Sequence, residues 1–458
     1  MTVDRSTLPI PGPDRPFRFP RIVRRTLANG LELRAVRHQS VPIVSIELLM
    51  PGGSSVDPAD HHGLVSMTTG LLDEGSRGQS ALEIADRIAR IGGDLDLEAG
   101  MDAVVVGLTT LDRFFETGLE LVHEIVTAPN LANDDFNRVR NLRLERLKQM
   151  KDNASALAER VFARVLYGEH AYGHLALGSE ASLTAMTVDE VRSMHAAMFA
   201  PAGSTLVVVG DRPEEELLDA AAKIFGPWRA EASTMAIDRE AALLRPPDQP
   251  SVKLGVVSRP GAAQSELRIG HACAPRSTPD YPALLLLNTI LGGDFVSRLN
   301  LNLREAKGYT YGVRTGFNLR RGIGPFAVST SVGTDVTAAA VQEAHAEIQA
   351  IANARPATRE EVAQAFASVS KGYPRGFETA GQVARSVAQL ALHSLPDTYF
   401  EEFVPKLARI TADDVSAAAR QYLAADQMTT IIVGDLDKIH PSLPGLGLGP
   451  HQVLTADL

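Results

Sequence analysis

Two stretches of the chain share one pattern: LTAMTVDEVRSMHAAMFAPAGSTLVVVGD at residues 183–211 and LARITADDVSAAARQYLAADQMTTIIVGD at residues 407–435. They align without a gap at a constant offset of 224 residues, and 9 of the 29 positions are identical. Each has a threonine followed by acidic residues, which predicts a helix N-cap with carboxylates in the first turn. Each then passes through a helix into a β-branched strand that stops at Gly-Asp. An ungapped match of this length indicates an internal duplication.

The remaining segments fit two similar halves. Hairpins are interspersed with helices, so we predict an α+β fold of two similar domains, each a mostly antiparallel sheet covered by helices. The Asn29-Gly30 pair predicts a hairpin with a type I′ turn. The predicted strands are 41–50, 104–110, 206–209, 252–257, 266–271, 326–332 and 430–433. The predicted helices are 63–72, 80–91, 114–128, 134–150, 281–291, 336–352 and 359–371.

A linker separates the two predicted domains. Residues 229–249 have weak periodicity and contain a Pro-Pro pair, which marks a break between folded units. We therefore predict an N-terminal domain at 20–232, a linker at 233–249 and a C-terminal domain at 250–440. The length of 458 residues suits two domains of roughly 200 residues.

Composition limits the classes of function. Hydrophobic residues make up 45% and charged residues 22%, as in an ordinary globular protein. A formal net charge of −10 argues against nucleic acid or an acidic membrane surface as the main partner. The N-terminus has no apolar signal region, so we expect a cytoplasmic protein, or a periplasmic one if a signal has been removed. The single cysteine, Cys273, excludes an internal disulfide and a thiolate metal cluster.

The order of several motifs resembles the insulinase/pitrilysin family, and within it mitochondrial processing peptidase and its bacterial relatives. The motifs are TLANGLELRAV (26–36), PGGSSVDPADHHGLV (51–65), ALEIADRIARIGGDLD (81–96), HAYGHLALG (170–178), FGPW (225–228), LGGDFVSRLNLNLREAKGYTYGV (291–313) and the two strand-Gly-Asp endings. The resemblance covers residues 22–436. It implies a pair of similar α+β domains facing each other, with two such pairs enclosing a chamber.

Active members of that family carry H-x-x-E-H on the first helix after the glycine that is Gly63 here. Two histidines at i and i+4 bind one Zn²⁺, the glutamate between them acts as general base, and a distal glutamate completes the site. At the matching positions this chain has Ser66, Thr69, Gly70 and, distally, Leu147. The resemblance therefore implies a degenerate zinc motif, with no metal bound by this chain.

One glutamate and four histidines are further candidates for metal ligands. Glu145 is two residues from Leu147, which places it on roughly the opposite flank of a helix. His61 and His62 are adjacent, and such neighbours do not face each other on a helix. His170 and His174 have i,i+4 spacing, but Tyr172-Gly173 between them predicts a turn. A metal enzyme with rearranged ligands stays open as a minor alternative.

The second half retains an arginine and a tyrosine seven residues apart, Arg304 and Tyr311. In the family, residues at these positions lie opposite the zinc and stabilise the transition state, and Gly292 and Gly293 precede them in a loop that a peptide could approach closely. From spacing alone, the structural alternative is an ion-paired surface Arg304 and a Tyr311 packed in the core. Tyr309 is a possible substitute for Tyr311.

The resemblance implies a non-catalytic subunit of a heteromeric zinc metallopeptidase. Its partner would be a homologous H-x-x-E-H chain that carries the zinc, and its ligand a peptide bound in extended form. The alternative is a structural scaffold of the kind found in respiratory complexes, with no peptidase role. Substitution of Arg304 by alanine distinguishes the two.

Overall fold

A computed structural model describes residues 17–230 and 243–455, which form two sheets of six strands each, with helices around them. The first half contributes the strands β1 (Ile22–Thr26), β2 (Glu32–Arg37), β3 (Ile43–Pro51), β4 (Gly75–Ser76), β5 (Gln79–Ser80), β6 (Asp94–Ala99), β7 (Ala103–Leu111) and β8 (Thr205–Gly210). Its helices are Leu64–Thr69, Ala81–Arg90, Phe115–Thr127, Asn133–Asp152, Ala154–Tyr167, Glu180–Ala185, Val188–Met198 and Glu214–Phe225. Strands β4 and β5 form a separate short hairpin.

The second half repeats this arrangement. Its strands are β9 (Leu254–Ser258), β10 (Gln264–Ala274), β11 (Val313–Phe317), β12 (Gly324–Gly333), β13 (Thr429–Gly434) and β14 (Gln452–Val453). Its α-helices are Tyr281–Asn288, Thr337–Ala352, Arg359–Gly372, Ala380–Leu392, Tyr399–Leu407, Ala412–Tyr422 and Leu436–Ile439, and π-helical turns cover Thr289–Gly293 and Asn300–Ala306.

The two sheets share one strand order. Five strands run β6-β7-β3-β8-β2 in the first sheet and β11-β12-β10-β13-β9 in the second. In each sheet, the strand of the repeated segment is parallel to one neighbour and antiparallel to the other, and the remaining pairs among these five are antiparallel. This confirms the predicted fold class. The sixth strand differs between the two sheets. In the first sheet it is β1, at the edge beside β2. In the second sheet it is β14, at the edge beside β9, and this strand lies beyond residue 440, where the predicted domain ends.

The repeated segment forms the same structure in both halves. Thr187 accepts a hydrogen bond from the Glu190 N–H and Thr411 accepts one from the Asp414 N–H, and each carboxylate in turn accepts from the threonine backbone. The strands that follow, β8 and β13, are buried along their whole length. A central strand buried on both faces explains their uniform β-branched sequences.

Each sheet is covered on one face by a helix from the other half. The Ala380–Leu392 helix of the second half packs on β3 and β8, with Val383 and Val387 fully buried there. Reciprocally, the Ala154–Tyr167 helix of the first half packs on β10 and β13. Each half keeps a main apolar core of its own, and this exchange adds two smaller apolar clusters that contain residues of both halves. Sequence periodicity did not predict the exchange.

Several local predictions need correction. The β1–β2 connection runs from Leu27 to Leu31, and only Gly30 has a positive φ, of 86°, so the turn is not the predicted type I′. The predicted helix 281–291 ends as α-helix at Asn288 and continues as a π-turn. Most of the predicted linker lies outside the described residues, but Leu243 at its described end is buried between the halves. None of the described helices combines the length and apolar character needed to cross a bilayer.

Glu47 is a buried carboxyl group on β3 that faces the exchanged helix. Burial raises the pKa of Glu47 to about 7. The positive charge of Arg385 on that helix acts against this rise, and the negative charges of Asp96 and Glu98 on the edge strand β6 add to it. The folded-state pKa lies above the ordinary value of 4.5. The unfolded chain therefore loses its proton first, and the free energy of unfolding falls as pH rises from about 4.5 to about 7.

Glu47→Gln should therefore stabilise the protein at pH 8 by up to about 3 kcal/mol, and leave its stability nearly unchanged at pH 4.5. Urea unfolding at the two pH values measures the difference. Asp94→Asn, at an exposed carboxylate on the same edge strand, is the matched control and should have little effect. An equal gain from Glu47→Gln at both pH values would contradict the assignment.

Candidate functional site

The degenerate metal motif lies on a short, buried helix, Leu64–Thr69. Gly63 precedes it with a φ of 92°, a conformation that favours glycine. The Asp57 carboxylate caps this helix by accepting the N–H groups of Gly63 at 2.7 Å and Val65 at 2.8 Å. The helix is therefore held in place without a metal.

Arg143, from the Asn133–Asp152 helix, fills the space between the two positions where histidines would bind zinc. Its Nη1 donates to Ser66 Oγ at 2.9 Å and its Nη2 to the Ser66 carbonyl oxygen at 2.6 Å. A Cβ on Gly70 would come within 2.6 Å of the same Nη2, so the missing side chain at Gly70 makes room for the guanidinium. One helical turn beyond Arg143, Leu147 is buried in the core of the first half.

A permanent positive charge at this place does not fit a metal ion. Burial, together with Arg146, lowers the pKa of Arg143 to about 10, against the attraction of Asp57. The group therefore stays charged near neutral pH. Thr69 is buried and donates to the Val65 carbonyl oxygen at 2.9 Å, so its hydroxyl is also engaged within the helix. The residues at this position would not hold zinc.

Nearby acidic and histidine side chains have other partners. The Glu145 side chain is 64% exposed and pairs with Lys148 at 2.8 Å, which places it on the solvent side of its helix. The rings of His62 and His174 stack with centroids 4.0 Å apart, and His174 Nε2 lies 3.3 Å from Asp57 Oδ2. Burial lowers the pKa of His62, which favours the neutral ring in this stack.

The remaining histidine candidates lie apart from one another's partners. His170 Nε2 contacts the Arg245 carbonyl oxygen at 3.1 Å, and His61 Nδ1 lies 3.1 Å from Glu190 Oε1 without hydrogen-bond geometry. Within residues 17–230 and 243–455, no group of three or more histidine, cysteine, aspartate or glutamate side chains is placed to hold a metal ion.

Arg304 is a half-buried side chain of the second half, and most of its donors have no acceptor in the part of the chain that the structure describes. It lies on the π-helical segment Asn300–Ala306, and such segments often mark functional sites. Its guanidinium stacks on the ring of Phe295, with Cζ 3.9 Å from the ring centroid, and Nη1 lies 3.5 Å from Glu305 Oε1. Among the described residues, Arg304 donates no hydrogen bond within normal distance.

Tyr311 is 94% exposed, and its hydroxyl has no hydrogen-bond partner in the described part of the chain. The alternative in which this side chain packs in the core is therefore wrong. Tyr309 is the tyrosine that packs against the core of the second half, with Lys307 over its ring. The two tyrosines thus have different surroundings, and only Tyr311 presents its phenol fully to solvent.

The two glycines before this segment differ in surroundings. Gly292 is buried, and a Cβ there would lie 2.5 Å from Thr315 Cγ2, so its small size allows the chain to pack against β11. A substrate-binding role for Gly292 stays a prediction. Gly293 is exposed, and a substrate-binding role for it stays a prediction.

Sequence reasoning missed two residues of these sites, Arg143 and Phe295. Arg143 lies 77 positions after Ser66, so no local pattern connects them. Phe295 lies within the 291–313 motif, but its contact with Arg304 depends on the fold of the loop between them.

These features define a metallopeptidase-like chain of two halves with the same strand order, in which the Arg143 guanidinium lies between Ser66 and Gly70. The chain belongs to the insulinase family: the family profile described as "Insulinase (Peptidase family M16)" matches residues 34–178, and the one described as "Peptidase M16 inactive domain" matches residues 185–369.

Relatives in sequence and in structure cover most of the chain. It is 24% identical to an uncharacterized zinc protease of Mycobacterium leprae, over 88% of this chain and 89% of that protein. It is 22% identical to an uncharacterized zinc protease of Streptomyces coelicolor, over 89% of each. A solved peptidase M16 inactive domain from Pseudomonas fluorescens superposes with a TM-score of 0.83 at 25% identity, covering 90% of this chain and 98% of that one.

Proposed function

We propose that this chain is the non-catalytic subunit of a heteromeric zinc metallopeptidase. In this proposal a homologous H-x-x-E-H chain holds the zinc and the general base, and this chain supplies Arg304 and Tyr311 to the bound peptide. The observation that carries the proposal is a contrast within one molecule. Arg143 lies between Ser66 and Gly70, the two positions matched to zinc ligands, whereas Arg304 and Tyr311 keep hydrogen-bond donors that have no acceptor among the described residues.

Arg304 and Tyr311 suit stabilisation of a tetrahedral transition state. A guanidinium and a phenol can both donate hydrogen bonds to the carbonyl oxygen of the scissile peptide bond. Those bonds strengthen as the oxygen gains negative charge, so they lower the barrier more than they improve binding of the substrate. Donors already committed to partners within the chain could not do this without first breaking those bonds.

Tyr311→Phe should lower kcat of the assembled peptidase about 10²-fold, the lower end of the usual cost of removing one donor to a developing oxyanion, and should change KM little. Tyr309→Phe is the matched control and should keep nearly full activity, since its ring packs against the core. Steady-state hydrolysis of a fluorogenic peptide by the complex measures both. A larger loss from Tyr309→Phe than from Tyr311→Phe would contradict the assignment.

A scaffold role predicts the opposite result for peptide hydrolysis by these variants. If this chain only holds an assembly together, Tyr311→Phe and changes at Arg304 leave peptide hydrolysis unchanged as long as the complex forms. Sedimentation of each variant with its partner separates loss of assembly from loss of chemistry.

A further inference from the structure

A further residue of the second half, Phe295, is placed to act on Arg304. Its ring lies under the guanidinium with Cζ 3.9 Å from the centroid, yet 62% of the residue is exposed. An exposed aromatic ring gains little from burial in the core. Its main contact near this site is therefore the stack with Arg304.

Stacking orients a guanidinium in a way that a carboxylate partner does not. A bidentate carboxylate takes up two N–H donors and neutralises the charge. An aromatic face attracts the cation through its quadrupole and leaves the N–H groups, which lie in the plane of the guanidinium, free at its edge. A side chain that must donate to a developing oxyanion needs its position fixed and its donors free. The Phe295 ring fixes the position and takes up no donor, and the Glu305 carboxylate stays 3.5 Å from Nη1.

The loop that carries Phe295 is anchored at several points. Asp294 Oδ1 accepts the Phe295 N–H at 2.6 Å, and Asp294 Oδ2 accepts from Ser368 Oγ at 2.7 Å. Asn300, which is 6% exposed, donates through Nδ2 to the Asp294 carbonyl oxygen at 3.1 Å. The ring therefore projects from a backbone held on two sides.

The same Asn300 ties this loop to the strand that follows Tyr311. Its Nδ2 donates to the Val313 carbonyl oxygen at 2.9 Å, and its Oδ1 accepts the Val313 N–H at 2.9 Å. Arg304 lies on the π-helical segment that begins at Asn300. The buried Asn300 amide thus connects three segments: the loop that carries Phe295, the π-helical segment that carries Arg304 and the strand that follows Tyr311.

We infer that Phe295 is a positioning residue for Arg304: its ring holds the guanidinium in the orientation needed for the transition state without using its donors. The inference rests on the proposed function, because it presumes that Arg304 acts on a peptide. It adds a residue outside the Arg/Tyr pair and explains how a half-buried arginine at the surface keeps a defined direction.

The kinetic test uses the full chain assembled with its H-x-x-E-H partner. Phe295→Leu should lower kcat about three- to five-fold with KM nearly unchanged, and Phe295→Trp should restore it, since an aromatic face returns. In the background of Arg304→Ala, Phe295→Leu should cause no further loss. Val296→Ala, at the adjacent exposed residue, is the matched control and should retain wild-type kcat.

A second measurement tests the geometry independently of activity. In ¹H–¹⁵N NMR spectra of the chain alone, the Arg304 Nε–H resonance should show a ring-current shift that is lost in Phe295→Leu and retained in Phe295→Trp. The resonance is assigned by its disappearance in Arg304→Lys.

The possible failures are distinguishable. An Nε–H shift that is unchanged in Phe295→Leu overturns the inference, as does a wild-type kcat for Phe295→Leu when Arg304→Ala is impaired. A further loss on adding Phe295→Leu to Arg304→Ala also overturns it, because Phe295 would then act on substrate directly. Full activity of Arg304→Ala instead overturns the proposed function itself.

Discussion

Arg304→Ala should lower kcat/KM of the assembled peptidase about 10²–10³-fold, which is the usual cost of removing one donor to a developing oxyanion. The loss should fall mainly on kcat, because the interaction is made in the transition state. Arg304→Lys should recover only part of the activity. An ammonium keeps the charge but lacks the planar array of donors that stacks on Phe295.

The control for this substitution is Arg314→Ala. Arg314 is an exposed arginine of the second half, on β11, and should contribute nothing to catalysis. Both variants should assemble with the partner to the same extent by sedimentation. Wild-type kcat/KM for Arg304→Ala in a fully assembled complex would support a scaffold and contradict the proposed function.

Val387→Asp should destabilise the whole chain by more than about 3 kcal/mol, because it places a carboxylate in an apolar interface. Val387 is fully buried on the exchanged helix, against the first sheet. Although the substitution lies in the second half, its largest local effect should appear in the first. Amide hydrogen exchange of β3 and β8 should increase, as the helix covering them loosens.

Gln389→Asp is the matched control for this prediction. Gln389 lies on the exposed face of the same helix, so an added charge there should cost less than about 0.5 kcal/mol. Urea unfolding gives the stabilities and mass spectrometry gives the exchange rates. Increased exchange confined to the second sheet would contradict the reciprocal packing of the two halves.

Much of the fold could be predicted because its signals are local. The repeat at 183–211 and 407–435 contains both capping threonines and both central strands, and all of these form as predicted. The exchange of helices could not be predicted in this way. The apolar stripe of the Ala380–Leu392 helix shows that one face is buried, but not which sheet buries it.

The candidate site likewise combines residues that a local motif predicts with contacts that only the fold determines. Ser66 and Gly70 could be matched to metal-ligand positions from a short motif, and the loss of zinc ligands followed from their chemistry. The guanidinium of Arg143 between them depends on the packing of two helices distant in sequence. The exposure of Tyr311, likewise, is a property of the folded surface, and spacing alone favoured a core position.

The most direct test of the central claim is peptide hydrolysis by the purified chain, alone and mixed with an H-x-x-E-H partner, with the zinc content of each sample measured. We predict no hydrolysis and no stoichiometric zinc for this chain alone, and zinc-dependent hydrolysis in the mixture that exceeds the activity of the partner alone. Chelator-sensitive hydrolysis by this chain alone would contradict the account, because it would require a metal site that Arg143 should exclude.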